Sequence, residues 1–261
     1  MSEFASGSRR AVAFVLVALA LAVGGCSASH AGGAPVVKVF AAASLTETFT
    51  QLGKNFEAGH AGARVEFTFA GSSQLAQQIT QGAPAGVFAA ASPATMKTVT
   101  DAGLADGPPA VFVRNQLVIA VRKGNAVQIA NLADLARPGL KVTVCAPQVP
   151  CGDAARKVLD GAGLKLTPAT LEQDVKAALT KVRLGEADTA LVYRTDARAA
   201  SAEVDTVEFP ESSSAVNDYQ IVVLRKAPAA ARDFVAFVRS DEAAAVLRRA
   251  GFQQPAQGAG G

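Results

Sequence analysis

From Pro35 onward, short runs of β-branched and aromatic residues alternate with alanine-rich segments of helical period. Strands separated by helices usually form parallel pairs, so this alternation predicts an α/β fold with mainly parallel sheets. Half of the 261 residues are apolar, enough for a substantial core. We predict strands at Val36–Ala42, Arg64–Phe69, Gly86–Ala90, Gln116–Arg122, Lys141–Cys145, Asp188–Tyr193, Thr206–Phe209 and Tyr219–Leu224.

Two of the intervening helices have clear sequence signals. In the first, apolar side chains recur at spacings of four, three and four, which places them on one face: Leu45, Phe49, Leu52 and Phe56. The second helix is predicted over 93–102, with Ser92 as its cap, Pro93 in its first position and Gly103 after its end.

Two apolar stretches predict that the chain forms two lobes. The run AVFVRNQLVIAV (110–121) carries Arg114 and Asn115 in its middle, and NDYQIVVL (217–224) follows a serine-rich loop. We interpret both as extended crossings between lobes, with residues 36–114 and 218–261 in lobe 1 and residues 115–217 in lobe 2. A cleft between two lobes is a natural ligand site.

The N-terminus has the pattern of a secretory signal. Arg9 and Arg10 precede the apolar run 11–23, which is shorter than the roughly 20 residues of a membrane span. The ending VGGC resembles a bacterial lipobox, so we predict a signal peptide over 1–26, acylation of Cys26 and a flexible tether over 27–35. An ordinary signal peptide with an incidental cysteine is the alternative. The prediction places the protein outside the cytoplasm, lipid-anchored to the outer face of the cytoplasmic membrane.

Charge and cysteine content narrow the function classes. The formal charge is only +3 and no basic run exceeds two residues, so the sequence shows no basic segment of the kind that binds nucleic acid. In an oxidising compartment Cys145 and Cys151 can form a disulfide; a free buried pair and a metal site are the alternatives. A metal cation is disfavoured because the two histidines, His30 and His60, lack ligand spacing.

Ser44 and Ser72 each stand where a predicted strand gives way to a helix. Ser44 begins the tetrapeptide S-L-T-E, the pattern of a capping box, in which Ser44 and Glu47 satisfy each other's backbone N–H groups. A capping hydroxyl still has a proton to donate outward. Helix starts also carry unpaired N–H groups and a partial positive charge, so two such serines predict a site for a small anion.

Five motifs together resemble the periplasmic molybdate-binding proteins of ABC importers. They are FAAASLTETF, FTFAGSSQLAQQITQGAPAGVF, APQVPCGDAARKVL, EQDVKAAL and GEADTALVYRTDA, and the resemblance covers about Val36 to Phe252. It implies a two-lobed periplasmic-binding-protein type II fold, in which helices flank the sheets and a hinge and ligand cleft lie between the lobes. It also implies a monomeric transport component without catalytic activity or cofactor, with molybdate or tungstate as ligand and a membrane permease and ATPase as partners.

The resemblance implies a ligand set of two serine hydroxyls, two backbone N–H groups and one tyrosine hydroxyl. Matched motif by motif, these are Ser44, Ser72, the amides of Cys151 and Val175, and the hydroxyl of Tyr193.

Tyr193 and Val175 each have an alternative structural explanation, and Cys151 departs from the pattern of the family. Tyr193 is also consistent with a core residue at a strand end, and Val175 with an apolar helix residue behind the cap Asp174, whose charge must face its own helix amides. Cys151 stands where relatives often have alanine, and Gly86 stands where they often have a polar or acidic residue.

Two other function classes are considered. A binding protein for sulfate or phosphate is the alternative within binding proteins, although a phosphate site should bring an acidic acceptor or an arginine, and the matched motifs contain neither. A serine hydrolase is disfavoured because there is no G-x-S-x-G motif, and because a Ser–His–Asp set is hard to assemble with His30 in the tether and His60 in a helix-to-strand loop.

Overall fold

The computed structural model describes residues 36–255, and the predicted signal peptide, Cys26 and tether lie outside the described residues. The strands are β1 (Val36–Ala42), β2 (Arg64–Ala70), β3 (Val87–Ala90), β4 (Ala110–Asn115), β5 (Leu117–Arg122), β6 (Val142–Cys145), β7 (Thr170–Glu172), β8 (Thr189–Tyr193), β9 (Val204–Val207) and β10 (Asn217–Val223). The helices are α1 (Thr46–Gly59), α2 (Ser72–Thr80), α3 (Pro93–Asp101), α4 (Pro150–Gly161), α5 (Val175–Arg183), α6 (Arg194–Ala199), α7 (Ala230–Val238) and α8 (Asp241–Ala250).

The strands form two five-stranded sheets, in the orders β2-β1-β3-β10-β4 and β7-β6-β8-β5-β9. The predicted two-lobed α/β fold is confirmed, and lobe 1 and lobe 2 denote below the first and second sheets with their helices. The prediction of mainly parallel sheets is wrong in detail, because each sheet has two parallel and two antiparallel pairings. The antiparallel pairings all involve β10 or β5, the strands that bring the chain into each sheet.

The two chain crossings lie side by side. The chain leaves the first sheet at Asn115 and enters the second at Leu117, and it returns to the first sheet at Asn217. Asn115 and Asn217 are partners in the β4–β10 ladder, so the outgoing and returning segments meet at one place.

The core follows the apolar pattern of the sequence. The central strands β3 and β8 are buried at every residue, whereas β2 at the edge alternates between exposed and partly buried residues. The predicted apolar face is confirmed, since its four residues are at most 1% exposed: Leu45 in the 3₁₀ turn before α1, and Phe49, Leu52 and Phe56 in α1. Phe49 and Phe56 both pack edge-on against Phe234 of α7.

Most predicted element bounds agree with the structure to within one or two residues. Helix α3 has the predicted signals, since the Ser92 side chain accepts from the Thr95 N–H and Gly103 has a φ of +68°. Strand β9 begins and ends two residues before the predicted range 206–209. Strand β7 is a three-residue edge strand that the sequence analysis did not predict.

Candidate functional site

The loop between β1 and α1 presents Ser44, but not as a helix cap. A 3₁₀ turn over Ala43–Leu45 precedes α1, so Ser44 lies inside a helical turn and its side chain caps nothing. The capping box is therefore wrong. The Ser44 Oγ instead lies 2.8 Å from the hydroxyl oxygen of Tyr219, and the Glu47 carboxylate accepts from the Lys176 Nζ.

Ser72 is the first residue of α2 and is 2% exposed. Its Oγ accepts a hydrogen bond from the Ala91 backbone N–H at 3.0 Å. Because a hydroxyl has one proton and can accept as well as donate, this bond leaves the Ser72 proton available for a ligand.

Cys151 and Val175 lie at the beginnings of two further helices. Cys151 is the second residue of α4 and is joined to Cys145 by a disulfide, with a Cα to Cα distance of 5.7 Å. Val175 is the first residue of α5. The first N–H groups of a helix have no carbonyl partner within the helix, so both amides are available as donors.

Asp174 lines the site, but its negatively charged carboxylate has a hydrogen-bond partner. Its side chain accepts from the Ala177 N–H at 2.9 Å and caps α5. The carboxylate is thus directed at its own helix amides, as the sequence analysis required of any anion site here.

Tyr193, at the end of β8, carries the most informative group. The side chain is 1% exposed and its ring packs edge-on against Tyr219, yet its hydroxyl has no partner within hydrogen-bond distance among residues 36–255. Burial raises the pKa of Tyr193 well above its usual value, so the hydroxyl stays protonated and is a donor. A buried polar atom without a partner is rare, so this hydroxyl is a candidate donor to a bound group.

All five predicted site residues line one small cavity between the lobes. Its volume is about 20 Å³, far below the roughly 300 Å³ at which pockets for organic ligands begin, so only a very small group fits between these walls. None of the described residues that line it is a lysine or arginine, and the one ionisable carboxylate is that of Asp174. The cavity therefore presents neutral N–H and O–H donors, a donor set that suits a small oxyanion.

Direct contacts hold the two lobes together around this cavity. The Ser73 hydroxyl of lobe 1 donates to the Gln148 carbonyl of lobe 2 at 2.8 Å. The Lys176 Nζ lies 2.6 Å from the Glu47 Oε1 across the cleft and 3.2 Å from the Asp196 Oδ1 behind it. The structure thus has the cleft closed.

Several of these groups were not predicted from the sequence. Burial raises the pKa of Asp196 to about 6, although Lys176 lowers it in part. For Lys176 burial acts to lower the pKa, but Asp196 and Glu47 outweigh it and raise the pKa. Tyr219 and Asn115, which lie behind Ser44, were also missed. Their partners are far away in sequence, so no local pattern marks them.

Gly86, which the sequence analysis singled out, lies outside this cavity. It directly precedes β3, and its N–H donates to the Lys38 carbonyl. Among residues 36–255, no three side chains of the metal-ligating types converge, and no helix there has both the length and the hydropathy of a membrane span.

Comparison with known proteins gives one family and several relatives. The family model for bacterial extracellular solute-binding proteins matches residues 37–253. The molybdate-binding protein ModA of Mycobacterium tuberculosis is 47% identical over 251 residues, which cover 94% of this chain and 96% of the relative.

Two solved structures share the fold. The periplasmic molybdate-binding protein of Azotobacter vinelandii has a TM-score of 0.74 at 24% identity, covering 84% of this chain and 100% of that one. The sulfate-binding protein SubI of Mycobacterium tuberculosis has a TM-score of 0.73 at 19% identity, covering 85% and 88%. Because the two scores are nearly equal, the fold does not distinguish the two oxyanions.

Proposed function

Since this chain belongs to the bacterial extracellular solute-binding proteins, we propose that it is the substrate-binding component of a molybdate ABC importer. Its 47% identity to a named molybdate-binding protein over nearly the full length of both chains supports molybdate as the ligand. The family consists of transport proteins, and the protein captures its ligand without changing it.

The observation that carries this proposal is the unpartnered hydroxyl of Tyr193. It is buried in the wall of the cavity that also contains the hydroxyls of Ser44 and Ser72 and the first amides of α4 and α5. A bound oxyanion supplies the acceptor that Tyr193 lacks. The ligand set is therefore Ser44, Ser72, Cys151, Val175 and Tyr193, with the last three from lobe 2.

Neutral donors also explain selectivity against phosphate. Molybdate is a fully ionised dianion that only accepts hydrogen bonds, whereas monohydrogen phosphate must also donate one. In a cavity lined by donors that proton has no acceptor, which costs about 1–3 kcal/mol, or roughly tenfold to a hundredfold in affinity.

Sulfate is the second candidate ligand, because the sulfate-binding protein SubI shares the fold. Sulfate has the same charge and no proton, so it is distinguished by size. In a cavity spaced for the larger metal oxyanion, the donors lie too far from the sulfate oxygens to bind all of them well. Tungstate is close to molybdate in size and should bind similarly.

Closure links binding to transport. Two ligand groups belong to lobe 1 and three to lobe 2, so the complete set forms only when the lobes meet. The hinge lies where Asn115 and Asn217 pair, at the lobe boundaries predicted from the sequence. The closed form is the one that the permease and its ATPase recognise, and an acylated Cys26 keeps the monomer at the membrane.

Titration calorimetry of the purified protein with molybdate, tungstate, sulfate and phosphate tests this function. We expect tight binding of molybdate and tungstate and at least tenfold weaker binding of sulfate and phosphate. Absence of molybdate binding at micromolar concentrations refutes the proposal, and stronger binding of sulfate establishes the second candidate instead.

A further inference from the structure

The Ser44 hydroxyl is supported from behind by a second buried hydroxyl, that of Tyr219. The two oxygens are 2.8 Å apart, and Tyr219 is 0% exposed at the lobe 1 end of the returning crossing. Tyr219 does not line the cavity. Its hydroxyl is in hydrogen-bond range of the Ser44 hydroxyl and its ring packs edge-on against Tyr193, so its influence on a ligand passes through these two cavity residues.

Either hydroxyl can donate in the Tyr219–Ser44 pair, and the orientation of Asn115 favours donation by Tyr219. The Asn115 Oδ1 accepts from the Gln116 N–H at 3.0 Å, which turns the amide nitrogen the other way. That nitrogen donates to the Thr195 Oγ1 at 2.8 Å and faces the Tyr219 hydroxyl oxygen at 3.5 Å. Tyr219 thus faces a donor on the Asn115 side, which favours the arrangement in which its own proton points to the Ser44 oxygen, 2.8 Å away.

This arrangement restricts what Ser44 can do. When its oxygen accepts from Tyr219, its proton is free to point into the cavity. Ser72 is held in the same way, but by the Ala91 backbone N–H instead of a side chain. Burial raises the pKa of Tyr219, so the phenol keeps the proton on which this arrangement depends.

We propose that Tyr219 is a specificity-determining residue: by donating to Ser44, it directs the Ser44 proton towards the ligand, so that Ser44 donates a hydrogen bond to the ligand and does not accept one from it. The proposal rests on the proposed function and extends it to a residue that does not touch the ligand. Without Tyr219, Ser44 is free to rotate and to accept, so the one proton of monohydrogen phosphate gains a partner.

The test is Tyr219→Phe, which removes the hydroxyl and keeps the ring. Molybdate and phosphate affinities are measured at pH 8 by calorimetry and by displacement of molybdate with phosphate. We expect molybdate binding to weaken about tenfold, since one orienting hydrogen bond is lost, while phosphate binding does not weaken. The molybdate-to-phosphate ratio therefore falls about tenfold, a change that loss of stability alone does not produce.

Two further variants separate this role from a general structural one. Thr189→Val removes another buried hydroxyl, which donates to the Ala120 carbonyl in lobe 2 away from the cavity, and it should leave the ratio unchanged. In a Ser44→Ala background, Tyr219→Phe should change molybdate affinity less than about twofold, because the effect of the Tyr219 hydroxyl passes through Ser44.

The outcomes are distinct. An unchanged ratio in Tyr219→Phe, or a full effect of that change in the Ser44→Ala background, overturns the role of Tyr219 and leaves the proposed function intact. Failure of the unmodified protein to bind molybdate overturns the proposed function itself.

Discussion

Replacing Gly71 by alanine separates closure of the lobes from their folding. Gly71 precedes α2 in lobe 1 and has φ of −56° and ψ of 130°, a conformation that alanine adopts without strain. A Cβ there lies well under 3.0 Å from the Gln173 carbonyl oxygen, which belongs to lobe 2. The added methyl group thus conflicts with the opposite lobe across the cleft.

The size of the effect follows from this conflict. To restore ordinary van der Waals contact, the lobes must move apart locally by roughly 1 Å. A donor on lobe 2 at a normal distance of about 2.9 Å from a ligand oxygen then lies at nearly 4 Å, outside hydrogen-bond range. Losing one hydrogen bond to the charged ligand costs about 2–3 kcal/mol, so molybdate should bind roughly thirtyfold to 150-fold more weakly.

Calorimetry with Gly71→Ala, Gly59→Ala and the unmodified protein measures this effect. Gly59 ends α1 in the same lobe, and a Cβ there meets no atom within 4 Å, so Gly59→Ala is the matched control and should bind normally. Thermal unfolding without ligand should show both variants folded. If Gly71→Ala binds molybdate with full affinity, closure at the Gly71–Gln173 contact is not needed for binding and the reasoning is wrong.

Three more predictions concern Tyr193, Asp196 and the disulfide. Tyr193→Phe should weaken molybdate binding by about 1–3 kcal/mol in calorimetry. Denaturant unfolding without ligand should show no loss of stability, since the hydroxyl has no partner in the described part of the chain; a stability loss would contradict this. Because the Asp196 pKa is about 6 when folded and 3.8 ordinarily, the folded state retains a proton that the unfolded chain releases, so stability should fall by about 2 kcal/mol as the pH rises from 4 to 6. Asp196→Asn should flatten that profile in unfolding measurements across this pH range, and an identical slope would refute the assignment. Replacing Cys145 and Cys151 by alanine should cost about 2 kcal/mol of stability for so short a loop, while calorimetry should find molybdate affinity within a few fold if Cys151 contributes only its N–H.

Sequence patterns predicted the features that local chemistry determines. The apolar faces, the cap of α3 and the strand-to-helix positions of the two serines follow from spacing and residue type within a few neighbouring residues. The ligand set came from the family resemblance, and the structure brings its five members to one cavity. Strand β7 was missed because three residues, one of them the exposed Leu171, are too few to form a period.

The predicted capping box of Ser44 and Glu47 is wrong for a physical reason that a local sequence pattern does not show. Ser44 and Glu47 have the right spacing, but each has a distant partner that the cap does not offer. Ser44 pairs with Tyr219, 175 residues away, and Glu47 pairs with Lys176, 129 residues away. Because the backbone enters α1 through a 3₁₀ turn, neither side chain is placed to cap the helix. Each side chain forms its long-range hydrogen bond or ion pair in place of the cap.

The ion pairs of Lys176 explain why no unpaired positive charge lies beside the cavity. Lys176 directly follows the cavity residue Val175 in the chain, but its charge is shared between the Glu47 and Asp196 carboxylates, and the Asp174 carboxylate accepts from its own helix. With these charges paired elsewhere, only N–H and O–H groups face the ligand. A free lysine would bind any dianion, protonated or not, so discrimination against phosphate depends on keeping Lys176 engaged. Glu47→Gln should therefore raise phosphate affinity relative to molybdate in the displacement assay, and an unchanged ratio would show that Lys176 has no part in selectivity.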